Sequence, residues 1–173
     1  MKTVLLMLAL AMPMALQPPP KTPDIHFTPT RQGVADAMLR LAEVTADDVV
    51  YDLGSGDGRI VMLAAQKYGA RGVGVEIDHG LVEMSRQIAR DGDVTRKVTF
   101  IEGDLFTTDI SPATVVTLYL SESVNRRLEP KLKSELRPGT RIVSHQFPIG
   151  DWPPLRTLRV DDEDLYFWIV PTR

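Results

Sequence analysis

The stretch Val49-Val50-Tyr51-Asp52-Leu53-Gly54-Ser55-Gly56-Asp57-Gly58 carries a short apolar run straight into three alternating glycines. Such a run bounded by a turn reads as a buried strand, and the glycines let the backbone bend sharply where any Cβ would obstruct a close approach. The next apolar residues, Ile60, Leu63, Ala64 and Tyr68, recur on one face of a helix. Strand, tight turn and helix form the first unit of an open parallel sheet, which binds its ligand at the carboxyl ends of the strands where strand order reverses.

Working outward, Gly72 to Ile77 reads as a second strand, followed by a helix with Leu81, Met84, Ile88 and Ala89 inward, then a third strand from Val98 to Ile101. Thr114 to Leu120 is a fourth, nearly all apolar, as suits a parallel strand covered on both faces. A helix follows with Val124, Leu128, Leu132 and Leu136 at four-residue steps, in which Pro130 is expected to kink the axis or open a new first turn. Arg141 to His145 is a fifth strand. Leu155 to Val160 and Tyr166 to Val170 are expected to flank the acidic turn Asp161-Asp162-Glu163-Asp164 as a hairpin. Upstream, Thr30 is expected to cap a helix carrying Val34, Met38, Leu41 and Ala42, with Asp47-Asp48 ending it. The expected fold is α/β and Rossmann-like, a mostly parallel seven-stranded sheet with an antiparallel C-terminal hairpin.

The acids at the strand ends say what the glycine turn faces. Arg59 follows Gly58, so the G-x-G-x-x-G spacing of a pyrophosphate site is absent, and the turn suits a ligand without phosphates. Asp52, closing the first strand, suits the cationic amino-acid part of S-adenosylmethionine (SAM). Glu76, closing the second, suits two ribose hydroxyls, and Asp104, after the third, suits the adenine amino group while Leu105 offers its backbone N–H. Asp57 and Asp78 look instead like caps or surface residues.

These residues resemble the class I, seven-β-strand SAM-dependent methyltransferases across about residues 25 to 170. More narrowly, Phe27-Thr28-Pro29-Thr30, the turn from Tyr51 to Arg59, and Thr117-Leu118-Tyr119-Leu120 with Asn125 are similar to the adenine nucleotide translocase lysine methyltransferase family and its small bacterial members. That resemblance implies SAM as cofactor, a protein lysine as methyl acceptor, and a segment before the first helix that packs over the methionine end of SAM, making Thr28 and Thr30 candidate contacts. Leu118-Tyr119-Leu120-Ser121 stands where many adenine and glutamine N-methyltransferases carry Asn/Asp-Pro-Pro-Tyr, which argues against those targets. The short region after the fifth strand leaves little room for a lid, so a large substrate docking on an open face is expected.

Methyl transfer from a sulfonium rests on positioning and water exclusion, and a lysine nucleophile is helped by an apolar aromatic pocket that disfavours its ammonium form. Tyr119 leads as a residue lining that pocket, with Phe27, Phe147 and Trp152 as walls and His145 as a proton acceptor if it faces the site. Each also reads as ordinary core. A small-molecule methyltransferase and a noncatalytic SAM-binding module stand as alternatives.

Composition narrows the field. The 173 residues suit one domain, and the absence of cysteine excludes disulfides, thiolate metal sites and cysteine nucleophiles. Three scattered histidines make no metal cluster, so no metal is expected. A net charge of −3 makes nucleic acid a poor partner. Lys2 and the apolar run Val4 to Leu16 have the form of a signal peptide, with a retained N-terminal anchor or a misassigned start as alternatives. The expected division is residues 1–17 as signal or anchor, 18–24 as a Pro-rich linker, and 25–173 as the methyltransferase domain. A genuine signal implies a periplasmic or secreted protein, otherwise a cytoplasmic or membrane-anchored one, with membrane contact only if the segment is retained.

Overall fold

The computed structural model describes residues 27–172, so the signal-peptide and linker expectations for 1–24 lie outside the described residues. The elements are α1 (Gln32–Leu41), β1 (Val49–Leu53), α2 (Arg59–Tyr68), β2 (Arg71–Glu76), α3 (His79–Asp91), β3 (Val98–Glu102), β4 (Val115–Leu118), α4 (Glu122–Glu135), β5 (Arg141–His145), β6 (Arg156–Val160) and β7 (Glu163–Ile169). One seven-stranded sheet runs β3-β2-β1-β4-β5-β7-β6. β1 to β5 run parallel to one another, and β7 is antiparallel to both β5 and β6. Strand order reverses between β1 and β4, which is where such sheets open a crevice.

Alternation along β1 sorts its residues to two faces. Val50 joins a core with Val34, Met38 and Leu39 of α1 and Ile60 and Ala64 of α2, whereas Tyr51 and Leu53 join Leu128 and Leu132 of α4. Helices therefore cover both faces, and β4 is buried along its whole length. Pro130 lies inside a continuous α4 rather than opening a new helix. β6 and β7 are joined by the two residues Asp161 and Asp162, both at positive φ (47° and 66°). This two-residue, left-handed loop matches strand twist, and aspartate tolerates it better than most residues.

Four local expectations change. Arg31, not Thr30, is the residue before α1, and it makes no side-chain cap; Thr30 is instead buried. α1 ends at Leu41, and the buried Asp48 pairs with Arg141 and accepts from Thr45 and Thr114. The inward face of α3 is Val82, Ser85 and Ala89, while Met84 and Ile88 face solvent. The acidic turn shrinks to Asp161 and Asp162, because Glu163 and Asp164 already belong to β7.

Candidate active site

The glycine turn packs too tightly for side chains. Gly54, Gly56 and Gly58 all sit at positive φ (79°, 54° and 78°). A Cβ at Gly54 would meet Leu120 at 2.7 Å, and one at Gly56 or Gly58 would run into the Phe27 or Phe100 ring. The turn is tied to β2 by Gly54 and Ser55 N–H groups donating to the Val75 carbonyl. Ser55, between the first two glycines, is buried with its hydroxyl unpartnered.

Around the turn the three strand-end acids come together as the topology demands. Asp52 is buried on β1, and its carboxylate accepts from the Thr117 hydroxyl of β4 at 2.7 Å. Burial pushes this carboxyl up to about 7, with the charges of Glu76 and Asp57 acting in the same direction and the Thr117 bond opposing them. Glu76 accepts the Gly56 N–H at 2.9 Å on one oxygen and the Ile77 and Asp78 N–H groups on the other. Each carboxylate oxygen has about two acceptor positions, so these bonds leave Glu76 capacity for a further donor. Asp104 accepts from the Phe106 N–H at 2.8 Å, fixing the turn that presents Leu105. Asp78 caps α3 by accepting from the Leu81 N–H, and Asp57 pairs with Arg59, as their sequence positions suggest.

The segment before α1 lies across this floor. Phe27 rests against Gly56, Thr28 is exposed, and the Thr30 carbonyl accepts from Arg59, which is itself fixed to Asp57. The fit to an adenosyl ligand is physical: a floor only glycine can form, acids on three adjacent strand ends, and an orphaned buried hydroxyl among them.

On the other side of the crevice, Tyr119 follows β4 and His145 ends β5. Their rings lie 3.9 Å apart between centroids, tilted by 35°. The Tyr119 hydroxyl donates to Gln146 at 3.3 Å. His145 is 1% exposed; its Nε2 pairs with Glu163, whose other oxygen accepts from Arg31 at 2.6 Å, while Nδ1 has no partner. Burial lowers the imidazole's pKa, against the pull of Glu163. Tyr119 is raised by burial and then by the Glu163 charge. Trp152 does not line this site; it packs over the α4-side core, beside Trp168. The Phe147 carbonyl is a structural acceptor, taking bonds from Asn125 and Ser144 and fixing the loop after β5.

Nothing in the sequence assigns Arg31, Glu163 or Thr117 to the site: Thr117 stands there only within a family stretch and Glu163 only within an acidic turn. Arg31 and Glu163 are 132 residues apart, and Asp52 and Thr117 are 65 apart, so each pairing exists only once strand order is known. A cavity of about 330 Å³ between α3 and β3, lined by Arg86, Arg90 and Thr99 among others, contains none of the candidate site residues. Among the described residues no cluster of His, Asp and Glu is placed to hold a metal, and no helix is long and apolar enough to cross a membrane.

Comparison with known proteins agrees with this geometry. The ANTKMT methyltransferase domain model matches residues 52–156. A protein-lysine N-methyltransferase of Saccharolobus islandicus (strain REY15A) is 45% identical over 154 residues, covering 86% of this chain and 95% of that protein. The adenine nucleotide translocase lysine N-methyltransferase of Mus musculus is 40% identical over 105 residues, covering 60% of this chain but only 45% of its own length. Among solved structures, one described as an RNA methyltransferase from Salinibacter ruber in complex with S-adenosyl-L-homocysteine superposes with a TM-score of 0.83 at 53% identity, covering 84% of this chain and 95% of that one.

Proposed function

The chain belongs to the ANTKMT methyltransferase family and is a SAM-dependent methyltransferase, and from that premise we propose that its methyl acceptor is a lysine side chain of a protein. The observation that carries this reading is the 45% identity to a protein-lysine N-methyltransferase of nearly the same extent. The aromatic Tyr119 beside the strand-order reversal agrees with it, since a ring that desolvates the acceptor favours the neutral amine over the ammonium.

In this reading Asp52 would hold the cationic amino-acid end of the cofactor, Glu76 the ribose hydroxyls, and Asp104 with the Leu105 N–H the adenine. Gly54, Gly56 and Gly58 would admit close approach, and Thr28 and Thr30 with Phe27 would close the methionine end. SAM supplies an activated methyl group whose departure leaves a neutral thioether. The chain's residues therefore have to align an amine with the methyl carbon and keep water out, which is worth several powers of ten in rate when the geometry is held.

A second reading, RNA as acceptor, is favoured by the description of the Salinibacter ruber structure. The net charge of −3 opposes it, because affinity for nucleic acid rests on neutralising phosphates. Incubating the protein with methyl-labelled SAM and a host lysate, then separating protein, RNA and small molecules, tests the proposal. Label on protein lysines is the expected result, and label confined to RNA or small molecules overturns it. We further propose that residues 1–17 direct the chain to the membrane or beyond it.

A further inference from the structure

We propose that His145 is the proton acceptor for the incoming amine, held in the required tautomer by Glu163 and, through Glu163, by Arg31. This rests on the lysine reading of the acceptor. A carboxylate only accepts hydrogen bonds, so its pairing with Nε2 places the proton of the neutral ring on Nε2 and leaves a lone pair on Nδ1. That lone pair is buried and unpartnered. Buried polar atoms are rarely left so, and such an atom beside Tyr119 at the carboxyl end of β5 calls for a donor that completes it.

The surroundings match the task. Tyr119 and His145 stand side by side at the carboxyl ends of β4 and β5, one position beyond the Leu118–Ser144 pair, next to the strand-order reversal. Tyr119 covers the imidazole and is held by one long hydrogen bond, so it is the ring that has to shift for an amine to reach Nδ1. The titratable and charged groups facing His145 are Glu163 from β7, Arg31 from the segment before α1, and Tyr119 from the end of β4. Burial keeps the imidazole neutral at pH 7, which is the form able to accept.

The step balances simply. An ammonium N–H bond breaks, its proton passes to Nδ1, and the imidazolium that forms is stabilised by Glu163. The freed nitrogen lone pair then forms the new N–C bond as the C–S bond breaks, with the bonding electrons remaining on sulfur.

His145→Gln tests this directly. At pH 7 it should lower kcat by about 100-fold, the lower range for a positioned general base. The deficit should narrow steadily toward pH 9.5 as the acceptor supplies its own free amine, while SAM affinity stays as in the wild type. Glu163→Gln, at a partly exposed position, guards against misfolding of the first variant. It removes the charge that raises the imidazole's pKa, so the acid limb of the pH profile should move to lower pH. A His145→Gln deficit that stays constant with pH, or an acid limb unmoved in Glu163→Gln, overturns the proposal. Wild-type protein that labels no lysine at all would instead refute the acceptor reading.

Discussion

Asp52 is the residue whose environment makes the sharpest demand. It is buried, it faces Glu76 and Asp57, and its one polar side-chain partner is the neutral hydroxyl of Thr117. With its pKa pushed up to about 7, the folded chain keeps a proton that the unfolded chain has lost above about pH 4. The contribution to stability therefore declines as pH rises from about 4 to 7, because over that window the folded state binds more protons. A cationic ligand group beside the carboxyl reverses the preference and favours the ionised form. SAM should then bind more tightly at pH 8 than at pH 6, by roughly tenfold at most, with proton uptake by the buffer detectable by calorimetry. Asp52→Asn should flatten that dependence, and an unchanged slope would remove Asp52 from the cofactor site. The glycines and acids from Asp52 to Asp104 were legible in the sequence because each is fixed by its own strand end. Thr117 was not, since nothing local to it announces Asp52.

At the scale of elements, α3 shows where hydropathy misleads. Its apolar residues Leu81, Met84, Ile88 and Ala89 suggest one face, yet of these only Ala89 joins the buried seam, with Val82 and Ser85. The reason is distance. Ser85 lies 3.1 Å from where a Cβ on Gly58 would stand, and the Phe100 ring fills the remaining space, so α3 approaches the cofactor turn too closely for a large side chain. Small residues face inward because the gap is small, which periodicity cannot express. Ser85→Leu should therefore destabilise by about 1 to 3 kcal/mol through overpacking, whereas Ile88→Lys on the exposed face should stay within about 0.5 kcal/mol. In thermal unfolding the first should lower Tm by several degrees and the second by about 2 °C at most. Equal effects would mean that Met84 and Ile88 are packed after all. The hairpin shows the same blindness from another side. Four consecutive acids read as a solvated turn, but two suffice to turn the chain, and the third, Glu163, begins β7 opposite β5 and meets His145.

Across the whole molecule the two ends of the sheet do different work. The carboxyl ends carry Asp52, Glu76, Tyr119 and His145. The amino ends of β1, β4 and β5 are joined by a separate network, in which Asp48 accepts from Thr114 and pairs with Arg141, and Arg141 also donates to the carbonyls of Ala42 and Glu43 after α1. Burial alone would raise the Asp48 carboxyl, but the bonds from Thr114 and Thr45 and the charge of Arg141 outweigh it and hold the pKa below its ordinary value. Its contribution to stability is thus present above the ordinary carboxylate range near pH 4 and is lost as pH falls through the lowered value. Asp48→Ala leaves the mostly buried Arg141 guanidinium without its carboxylate, at a cost of about 3 kcal/mol, or a Tm lower by about 6 to 12 °C. Because a sheet strand separates that network from the crevice, SAM affinity and kcat measured well below the new Tm should match the wild type. A variant as stable as wild type would show the network to be inert, and a stable variant with weakened SAM binding would show that the two ends of the sheet are coupled. The expected pattern, lost stability with retained chemistry, is the one a parallel sheet imposes when its ligand sits at only one edge.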